Sequence, residues 1–441
     1  MSDTPALNQG QKNAADRFLQ LLLDPAVNAA IITGPGGTGK TFLMGHLIDQ
    51  VIPSYEAACS LLGATPLYTS VHMTATTNKA AEVLGKATGR PARTIHSHLC
   101  LRIKTDYQSG SQTLIPTPNF YVHSREIIFI DESSMADRDL LDWLEKGTQN
   151  CFLVFVCDDR QLPPVKEKLS RIFSMNLPVM ELTEQMRNSG QPALMDLCNQ
   201  FRDTVLTGNW YDINVVPGVV DYVSAEVMPE ILEQYFMDPA HNNRIMGYTN
   251  ARVNEYNTYI RAMRGLPQSF TVGEHLIANS QFTVRTSLER VSVQAEDGLE
   301  VVDLIREPHL VQKKLANDEC IEFWGQTIVV RTRWGDTLTV TVPVDPTHFK
   351  QVLQYLSRKK DWSNYYGLQE TYPDLRPHDA STTHKAQGST FDVAVLDLSD
   401  LSTCRDPATA ARLFYVALSR AKSRVILYGD LAPKYGKIVH R

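Results

Sequence analysis

The sequence contains no apolar run long enough to span a membrane, and its first residues lack the basic start and apolar core of a secretory signal. Internal repeats and low-complexity tracts are also missing. The chain of 441 residues is 43% hydrophobic and 21% charged, as in ordinary globular proteins, and its length predicts roughly two to four domains. We therefore expect a multidomain cytoplasmic protein with no membrane partner.

Cysteine is scarce, and none of the seven cysteines belongs to a CxxC pair. The segment HSHLC, residues 96–100, offers histidine and cysteine ligands, but no second cluster along the sequence completes a set of four. We therefore expect no metal finger and only reduced, structural thiols. The net charge of −6 argues against indiscriminate binding to polyanions, although it is compatible with a local basic groove.

A glycine-rich segment near the amino end has the order that a phosphate-binding loop requires. In AAIITGPGGTGKTFLMGHLI, an apolar run precedes GPGGTGKT and a helix-like apolar pattern follows it. Glycines let backbone N–H groups turn toward a phosphate, so a plain glycine turn is the weaker alternative. We expect Lys40 to reach the β- and γ-phosphates and Thr41 to bind Mg²⁺. The predicted nucleotide-binding residues of this loop are Gly34, Pro35, Gly36, Gly37, Thr38, Gly39, Lys40 and Thr41.

Two carboxylates follow a second buried-strand pattern, in EIIFIDESSM. They stand where ligands bind in open α/β folds, at the carboxyl end of a strand. Asp131 can hold Mg²⁺ through water, and Glu132 can polarise an attacking water. A third apolar run ends in CDDRQLPP, where the amide of Gln161 can contact the γ-phosphate or that water. These features alone are shared by kinases, GTPases and motors.

Nine segments occur in one order along the chain: GPGGTGKT, ATTNKAA, TIHSHL, FIDESSM, CDDRQLPP, LTEQMRN, YTNARVNEYN, THKAQGSTFD and YVALSRAKSRV. Together they resemble the motifs of superfamily 1 DNA helicases, and within that group the RecD-like branch, over residues 8–427. The resemblance implies an α/β fold with two RecA-like P-loop lobes, each built on a parallel sheet. It also implies an enzyme that hydrolyses ATP with Mg²⁺.

The resemblance extends to residues around the nucleotide. Arg187 and Arg420 match the arginines that such helicases direct at the γ-phosphate, where they stabilise the transition state as the cleft closes. Gln11 matches the glutamine that reads adenine, with a plain helix-start glutamine as the alternative. Gln387 and Gly388 are implied to face the nucleotide. The catalytic set is then Lys40, Asp131, Glu132, Gln161, Arg187 and Arg420.

The resemblance also implies contacts with a DNA strand. Hydroxyl, amide and lysine contacts to phosphates position a strand without reading its sequence, as a motor that walks any sequence requires. The chain departs from the family at Thr76, where proline is frequent, and at Cys157, where glycine is usual. The implied DNA-binding residues are Thr76, Thr77, Asn78, Lys79, Thr94, His96, Leu114, Thr249, Asn250, Thr383, His384 and Lys385.

The predicted domain organisation is discontinuous. Residues 1–178 form the first lobe, and residues 179–268 and 372–441 form the second. Residues 269–371 change character, because β-branched segments flank turns at EDG and GD and a helical pattern follows. We expect an inserted β-barrel domain with a helical extension, and the resemblance implies an SH3-like barrel that closes over the strand.

Residues 99–122 form an insertion in the first lobe. Within it, apolar and polar side chains alternate on either side of a turn at residues 108–111, which predicts a β-hairpin. An ordinary surface hairpin is the alternative, but RecD-like helicases carry at this place the pin that separates the strands. Leu114, where a phage member of the branch presents an aromatic side chain, is predicted to be an apolar wedge.

The sequence therefore predicts an ATP-dependent DNA helicase that moves 5′ to 3′ on single-stranded DNA and separates duplex DNA, in replication or recombination. We expect a monomer that binds single strands and single-strand/duplex junctions, in the host cytoplasm if a phage encodes it. Replication and single-strand-binding proteins are candidate protein partners. The alternative is a RecD-like motor subunit of a larger complex. A kinase or GTPase would have no use for the HKAQG segment or the two arginines.

Overall fold

The computed structural model describes residues 6–163, 170–184, 191–285, 290–315 and 319–440. The described helices are α1 (Gln9–Leu23), α2 (Lys40–His46), α3 (Ile52–Leu61), α4 (Asn78–Thr88), α5 (Ile95–His98), α6 (Arg138–Gly147), α7 (Pro192–Thr207), α8 (Met228–Phe236), α9 (Asn250–Met263), α10 (Pro346–Arg358), α11 (Trp362–Thr371), α12 (Thr383–Ala386), α13 (Leu398–Leu401) and α14 (Pro407–Leu418). None of them combines the length and apolarity needed to cross a membrane.

The described strands are β1 (Ala29–Thr33), β2 (Ser70–Ala75), β3 (Ala92–Thr94), β4 (Leu101–Thr105), β5 (Gln112–Pro116), β6 (His123–Ser124), β7 (Glu126–Asp131), β8 (Thr148–Gln149), β9 (Phe152–Cys157), β10 (Val179–Glu181), β11 (Ile213–Val215), β12 (Val220–Val223), β13 (Arg244–Gly247), β14 (His275–Ala278), β15 (Phe282–Arg285), β16 (Arg290–Val293), β17 (Gly298–Lys314), β18 (Cys320–Thr332), β19 (Thr337–Pro343), β20 (Leu375–Pro377), β21 (Ala380–Thr382), β22 (Phe391–Asp397), β23 (Ala421–Tyr428) and β24 (Ile438–His440). They and the helices divide between two compact units. Unit 1 comprises Met1–Lys104, Leu114–Tyr211 and Asp406–Ser419, and unit 2 comprises Thr105–Thr113, Asp212–Arg405 and Arg420–Arg441.

Unit 1 is built on a six-stranded sheet in the order β10-β1-β9-β7-β2-β3, in which all neighbouring strands run parallel. Its central strands are nearly continuous apolar runs because both faces of the sheet are covered. On one face, Phe18 of α1 packs against Phe129 and Phe152, with ring centroids 6.0 and 5.8 Å away. The other face is covered by a second apolar cluster, to which Leu140 and Leu144 of α6 belong.

Unit 2 contains a parallel and an antiparallel sheet. The parallel sheet has the order β12-β23-β22-β13-β21, and its core includes Ile245, Val395 and Ile426. The antiparallel sheet has the order β19-β18-β17-β14-β20. A shorter antiparallel pair, β15 and β16, packs on its core, and α10 and α11 cover a separate apolar cluster with β18.

The predicted fold class, with two parallel α/β sheets and an inserted β-rich region, is confirmed. The boundaries differ in detail, because β10 pairs with β1 beyond the predicted end of the first lobe at residue 178. Unit 1 also includes α14, whose Phe414 stacks on Phe201 of α7 at 5.2 Å between ring centroids. The inserted antiparallel sheet extends to β20, past residue 371. An SH3-like barrel for this region stays a prediction.

Candidate functional site

The predicted nucleotide-binding residues of unit 1 follow three adjacent strands. The glycine-rich loop follows β1, Asp131 ends β7, and Asp158 to Gln161 follow β9. In the sheet β9 lies between β1 and β7, and all three run parallel. Their carboxyl ends therefore meet at one edge, which brings loop, carboxylates and glutamine together as the motif order predicts.

The glycine-rich loop depends on glycine where it enters α2. Gly39 has φ 79°, in the left-handed region, and a Cβ there would lie 2.5 Å from Nε2 of Gln11. The Lys40 ammonium donates hydrogen bonds to the carbonyls of Gly34 at 2.7 Å and Pro35 at 3.1 Å. The cation thus lies over the loop, at the start of a helix whose N–H groups attract phosphate.

Gln11, the predicted adenine reader, is buried beside this loop. Its Nε2 donates to the Thr38 carbonyl at 3.1 Å, and its Oε1 accepts a hydrogen bond from the backbone N–H of Asn8 at 3.1 Å. The second bond completes the capping box that starts α1. The plain helix-start role, weighed as the alternative from sequence, is therefore the one that the amide fills here, and adenine recognition stays a prediction.

Asp131 and Glu132 form a turn with a strained backbone and with repulsion between the two carboxylates. Burial, followed by repulsion from Glu132, raises the pKa of Asp131 to about 7, although the N–H of Glu132 donates to Asp131 at 2.9 Å. Glu132 has φ 50°, a left-handed conformation that costs a non-glycine residue about 1 kcal/mol or more. A divalent cation would offset the burial and the charge repulsion of the Asp131 carboxylate. Carboxylate and hydroxyl oxygens suit Mg²⁺. The residues present therefore fit Mg²⁺ held by Asp131 and Thr41.

Thr76 lies directly against this turn. Its N–H donates to the Asp131 carbonyl at 3.1 Å, and its hydroxyl donates to the Glu132 carbonyl at 3.0 Å. The Thr76 hydroxyl is nearly buried and already engaged here, and the contact of Thr76 with DNA stays a prediction. Thr76 stands where the family often has proline. Its hydroxyl joins the acidic turn to the residue directly before Thr77.

The CDDRQLPP segment is held by two residues that were not among the predicted site residues. The Tyr415 hydroxyl donates to the Asp158 carboxylate at 2.6 Å, and Arg412 donates to the carbonyls of Asp159 at 2.8 Å and Gln161 at 2.7 Å. All of these residues belong to unit 1. The sequence signal was an arginine and a tyrosine three residues apart on the apolar helix α14, a spacing that puts them on one face.

Cys157, the other position at which the chain departs from the family, is a residue of the apolar core. Cys157 ends β9 and is 1% exposed, packed in the apolar cluster of unit 1. Burial raises the pKa of its thiol to about 12, so the side chain is neutral and behaves as a small apolar group. The described cysteines are all free, as expected for structural thiols.

Three predicted strand-contacting threonines each begin a helix directly after a parallel strand. Thr77 caps α4, Thr94 caps α5 and Thr249 caps α9, each accepting a backbone N–H at 3.1, 3.1 and 3.2 Å. Helix N-termini of this kind attract phosphate groups. Lys79 lies in the first turn of α4, 3.7 Å from Glu82. The placement favours the predicted phosphate contacts through backbone N–H groups, with Asn78, Asn250 and His96 in the same first turns.

The THKAQG segment forms the short helix α12 of unit 2. Thr383 is fully buried and its hydroxyl donates to the Gly247 carbonyl at 3.2 Å, and its contact with DNA stays a prediction. Lys385 donates to the carbonyl of Asn279 at 3.0 Å and lies 3.7 Å from Glu296. Burial lowers the pKa of both His384 and Lys385.

The remaining predicted nucleotide contacts of unit 2 lie near this segment. Gly388, at φ 80°, follows Gln387 at the end of α12. Arg420 is 5% exposed and donates to the Ser389 carbonyl at 3.3 Å. Its role at a γ-phosphate stays a prediction, as does that of Arg187, which lies outside the described residues.

The predicted hairpin is present, with β4 and β5 paired around a turn at residues 106–111. Leu114 is not at its tip. It packs against the core of unit 1, and its carbonyl accepts a hydrogen bond from the Trp143 indole at 3.0 Å. Leu114 thus lies three residues past the turn, and its role as a wedge stays a prediction. The exposed apolar side chain of the tip is Tyr107, 51% exposed.

The tip of the hairpin is part of unit 2. The Tyr366 hydroxyl donates to the Gly110 carbonyl at 2.8 Å, and the Tyr107 and Tyr366 rings meet edge to face at 6.2 Å between centroids. Gly110 has φ 73°, and a Cβ there would overlap the Trp362 indole at 2.3 Å. The tip is thus seated on α11.

Comparisons with known proteins agree with this geometry. Residues 6–209 match a family described as an AAA domain, and residues 378–428 match a UvrD-like helicase C-terminal domain. The solved structure of Pif1 helicase from Bacteroides with ADP-AlF3 and single-stranded DNA has a TM-score of 0.50 at 17% identity, covering 99% of this chain and 95% of that chain. A structure of two coordinating Pif1 helicases at forked DNA has the same TM-score and identity, covering 99% and 94%. The fold is therefore that of a helicase-type P-loop protein with two RecA-like lobes.

Individual relatives narrow the resemblance. The chain is 23% identical to the ATP-dependent DNA helicase dda of Enterobacteria phage T4, over 94% of this chain and 98% of that protein. It is 20% identical to an uncharacterised protein of Acanthamoeba polyphaga mimivirus, over 95% and 99%. The predicted similarity to superfamily 1 DNA helicases is confirmed.

Tyr415→Phe tests the support of the CDDRQLPP segment. A hydrogen bond to a carboxylate contributes about 1.5–3 kcal/mol, so its loss from Asp158 should lower the kcat of ATP hydrolysis about tenfold while nucleotide affinity stays unchanged. Steady-state hydrolysis and binding of a fluorescent ATP analogue measure the two effects. Tyr435→Phe is the matched control, because Tyr435 is equally buried and its hydroxyl donates to Cys404 at 2.8 Å, away from the segment. Equal kcat values for the two variants would contradict the assignment.

Proposed function

We propose that this chain is an ATP-dependent DNA helicase that moves along single-stranded DNA and separates duplex DNA. The observation that carries the proposal is the pair of hydrogen bonds that Thr76 donates in unit 1, here called the Thr76 seam. There the acidic turn Asp131–Glu132 is hydrogen-bonded to the residue that precedes Thr77 and α4. One sheet edge thus presents a phosphate loop with its acids and, on the neighbouring strand, a phosphate-attracting helix start.

On the nucleotide side, each residue has a distinct task. Lys40 neutralises the β- and γ-phosphates, and Mg²⁺, when bound by Thr41 and Asp131, supplies charge neutralisation between them. Glu132 orients the attacking water and accepts its proton. Gln161 senses the γ-phosphate, and the Arg412 and Tyr415 contacts hold its loop in place.

On the strand side, the backbone N–H groups at the start of α4 in unit 1 contact phosphates, and those at the start of α9 in unit 2 do the same. Such contacts carry no sequence information, which suits translocation on any sequence. Lys385 adds positive charge once it exchanges its Asn279 contact for a phosphate. The direction, 5′ to 3′, is proposed from the motif resemblance to the RecD-like branch.

Lys40→Ala and Glu132→Gln test this assignment. With saturating single-stranded DNA, ATP hydrolysis should fall by about 10²-fold or more in both, because one loses phosphate neutralisation and the other loses the base. Glu132→Gln should keep wild-type affinity for ATP and DNA. Strand displacement by wild type is measured in parallel on duplexes with either a 5′ or a 3′ tail. A wild-type ATPase indifferent to DNA would refute the motor, and unwinding of only the 3′-tailed duplex would refute the direction.

The hairpin is proposed to separate the duplex, with Tyr107 rather than Leu114 as the contact residue. Its tip is exposed and aromatic, yet anchored through Gly110 to α11, which gives the rigidity that a wedge needs. An aromatic ring can stack on the terminal base pair, and opening a pair costs about 1.4 kcal/mol of stacking.

Replacing residues 106–111 by a Gly-Ser turn should therefore abolish unwinding while DNA-stimulated ATP hydrolysis stays near wild type. Tyr107→Ala should slow unwinding about fivefold, as expected for a lost stacking contact of about 1 kcal/mol. Tyr259→Ala, which removes a similarly exposed tyrosine on α9, is the control. Unwinding at the wild-type rate by the shortened protein would place the wedge elsewhere.

A further inference from the structure

Three histidines and one glutamate converge in unit 1 at the edge of the sheet opposite the nucleotide residues. His72 lies on β2, His98 ends α5, His123 begins β6 and Glu126 begins β7. Since β7 ends at Asp131, its first residue is at the far edge. This group, the Glu126 cluster, contains His98 of the HSHLC segment, and folding supplies the second set of ligands that the sequence does not place nearby.

The geometry of the Glu126 cluster is that of a ligand shell. One carboxylate oxygen, Oε2 of Glu126, lies 3.1 Å from Nε2 of His98, 3.2 Å from Nδ1 of His123 and 3.5 Å from Nε2 of His72. A tetrahedral metal site with bonds of about 2.0–2.1 Å has ligand atoms about 3.3 Å apart. The ligand atoms of His98, His123 and Glu126 also lie within 4.8 Å of one another.

The surroundings suit a metal that prefers nitrogen. The side chains of His98 and His123 are 0% and 1% exposed, whereas His72 is 31% exposed and Glu126 12%, which leaves an open side for entry.

We propose that the Glu126 cluster is a zinc site, with His98, His123 and Glu126 as ligands and His72 as the fourth. Imidazole and carboxylate ligands in a four-coordinate arrangement fit Zn²⁺ and disfavour Mg²⁺. The metal would join the ends of α5, β6 and β7 to β2. Because α5 carries His96, occupancy would brace one of the segments proposed to contact DNA.

A second histidine cluster, in unit 2, differs from the Glu126 cluster in the partner of its carboxylate. There Asp379 is paired with Arg264 at 2.7 Å, and His241 uses both nitrogens, one for Asp379 at 2.9 Å and one for the Asn243 N–H at 3.0 Å. In that cluster a guanidinium already neutralises the carboxylate, whereas the ion pairs that Glu126 makes within the described residues are to histidines. That cluster is a finished hydrogen-bond network.

Substitution of Arg93 tests the proposal, because it should raise the affinity for zinc rather than lower it. Its guanidinium lies 2.8 Å from Nδ1 of His98, where it donates and thereby keeps the His98 proton on Nε2, the atom that a metal needs. Zinc binding must displace this exposed side chain and move the proton to Nδ1. Arg93→Gln removes the competing charge and supplies an amide oxygen that accepts from Nδ1–H, so it should tighten zinc binding about tenfold.

The experiment uses the untagged full chain, stripped of metal and titrated with Zn²⁺ in excess Mg²⁺ by calorimetry, with Co²⁺ as the spectroscopic probe of four-coordination. Wild type should bind one equivalent, gain visible Co²⁺ bands and unfold at a higher temperature. His72→Ala and Glu126→Gln should each weaken binding more than about tenfold. Circular dichroism checks their folding, and His309→Ala, which removes a half-buried histidine of unit 2, should match wild type.

Absence of zinc-dependent changes in wild type would overturn the proposal, as would equal affinities of wild type and both ligand variants. Weaker binding by Arg93→Gln would overturn the assignment of Nε2 of His98 as a ligand. None of these readouts depends on ATP hydrolysis or unwinding, so the zinc site and the helicase function are tested separately.

Discussion

The pairing of β2 with β7 is the interaction on which the rest of the account depends. It runs through six residue pairs and continues beyond the strands in the two hydrogen bonds that Thr76 donates to Asp131 and Glu132. The acidic turn is half-buried and strained at Glu132, so the proposed nucleotide and metal beside it would act on its position. Under the proposal, a movement of the turn would be passed to Thr77 and to the start of α4.

A second set of contacts ties the neighbouring loop in the same way. Asp158, at the carboxyl end of β9, is held by Tyr415, and the carbonyls on either side of Arg160 are held by Arg412. Tyr415 and Arg412 both lie on α14, and the chain reaches Arg420 two residues after that helix ends. The loop proposed to sense the γ-phosphate is therefore connected, through one helix and two further residues of the chain, to the predicted arginine.

Motif order was sufficient to predict the sheets and the placement of the nucleotide loop, because strand, loop and helix are encoded in contiguous residues. Contacts between distant segments were not predictable in this way. The capping role of Gln11 and the buried hydroxyl of Thr383 depend on which neighbour the fold brings to them. The turn of the hairpin was predicted, but the packing of Leu114 against the core of unit 1 was not, because it depends on segments distant in sequence. The Glu126 cluster joins residues from four separate elements, which no local pattern reveals.

The most direct test of the account is the stimulation of ATP hydrolysis by single-stranded DNA in Thr76→Val, compared with Thr69→Val. Thr69 stands before β2 at the opposite edge, where its hydroxyl lies 3.4 Å from the Arg125 carbonyl. Loss of one hydrogen bond of about 1 kcal/mol should lower stimulation by DNA about fivefold in Thr76→Val, with the DNA-free rate within about twofold of wild type. Thr69→Val should behave as wild type. Full stimulation in Thr76→Val would contradict the claim that this seam couples hydrolysis to the strand.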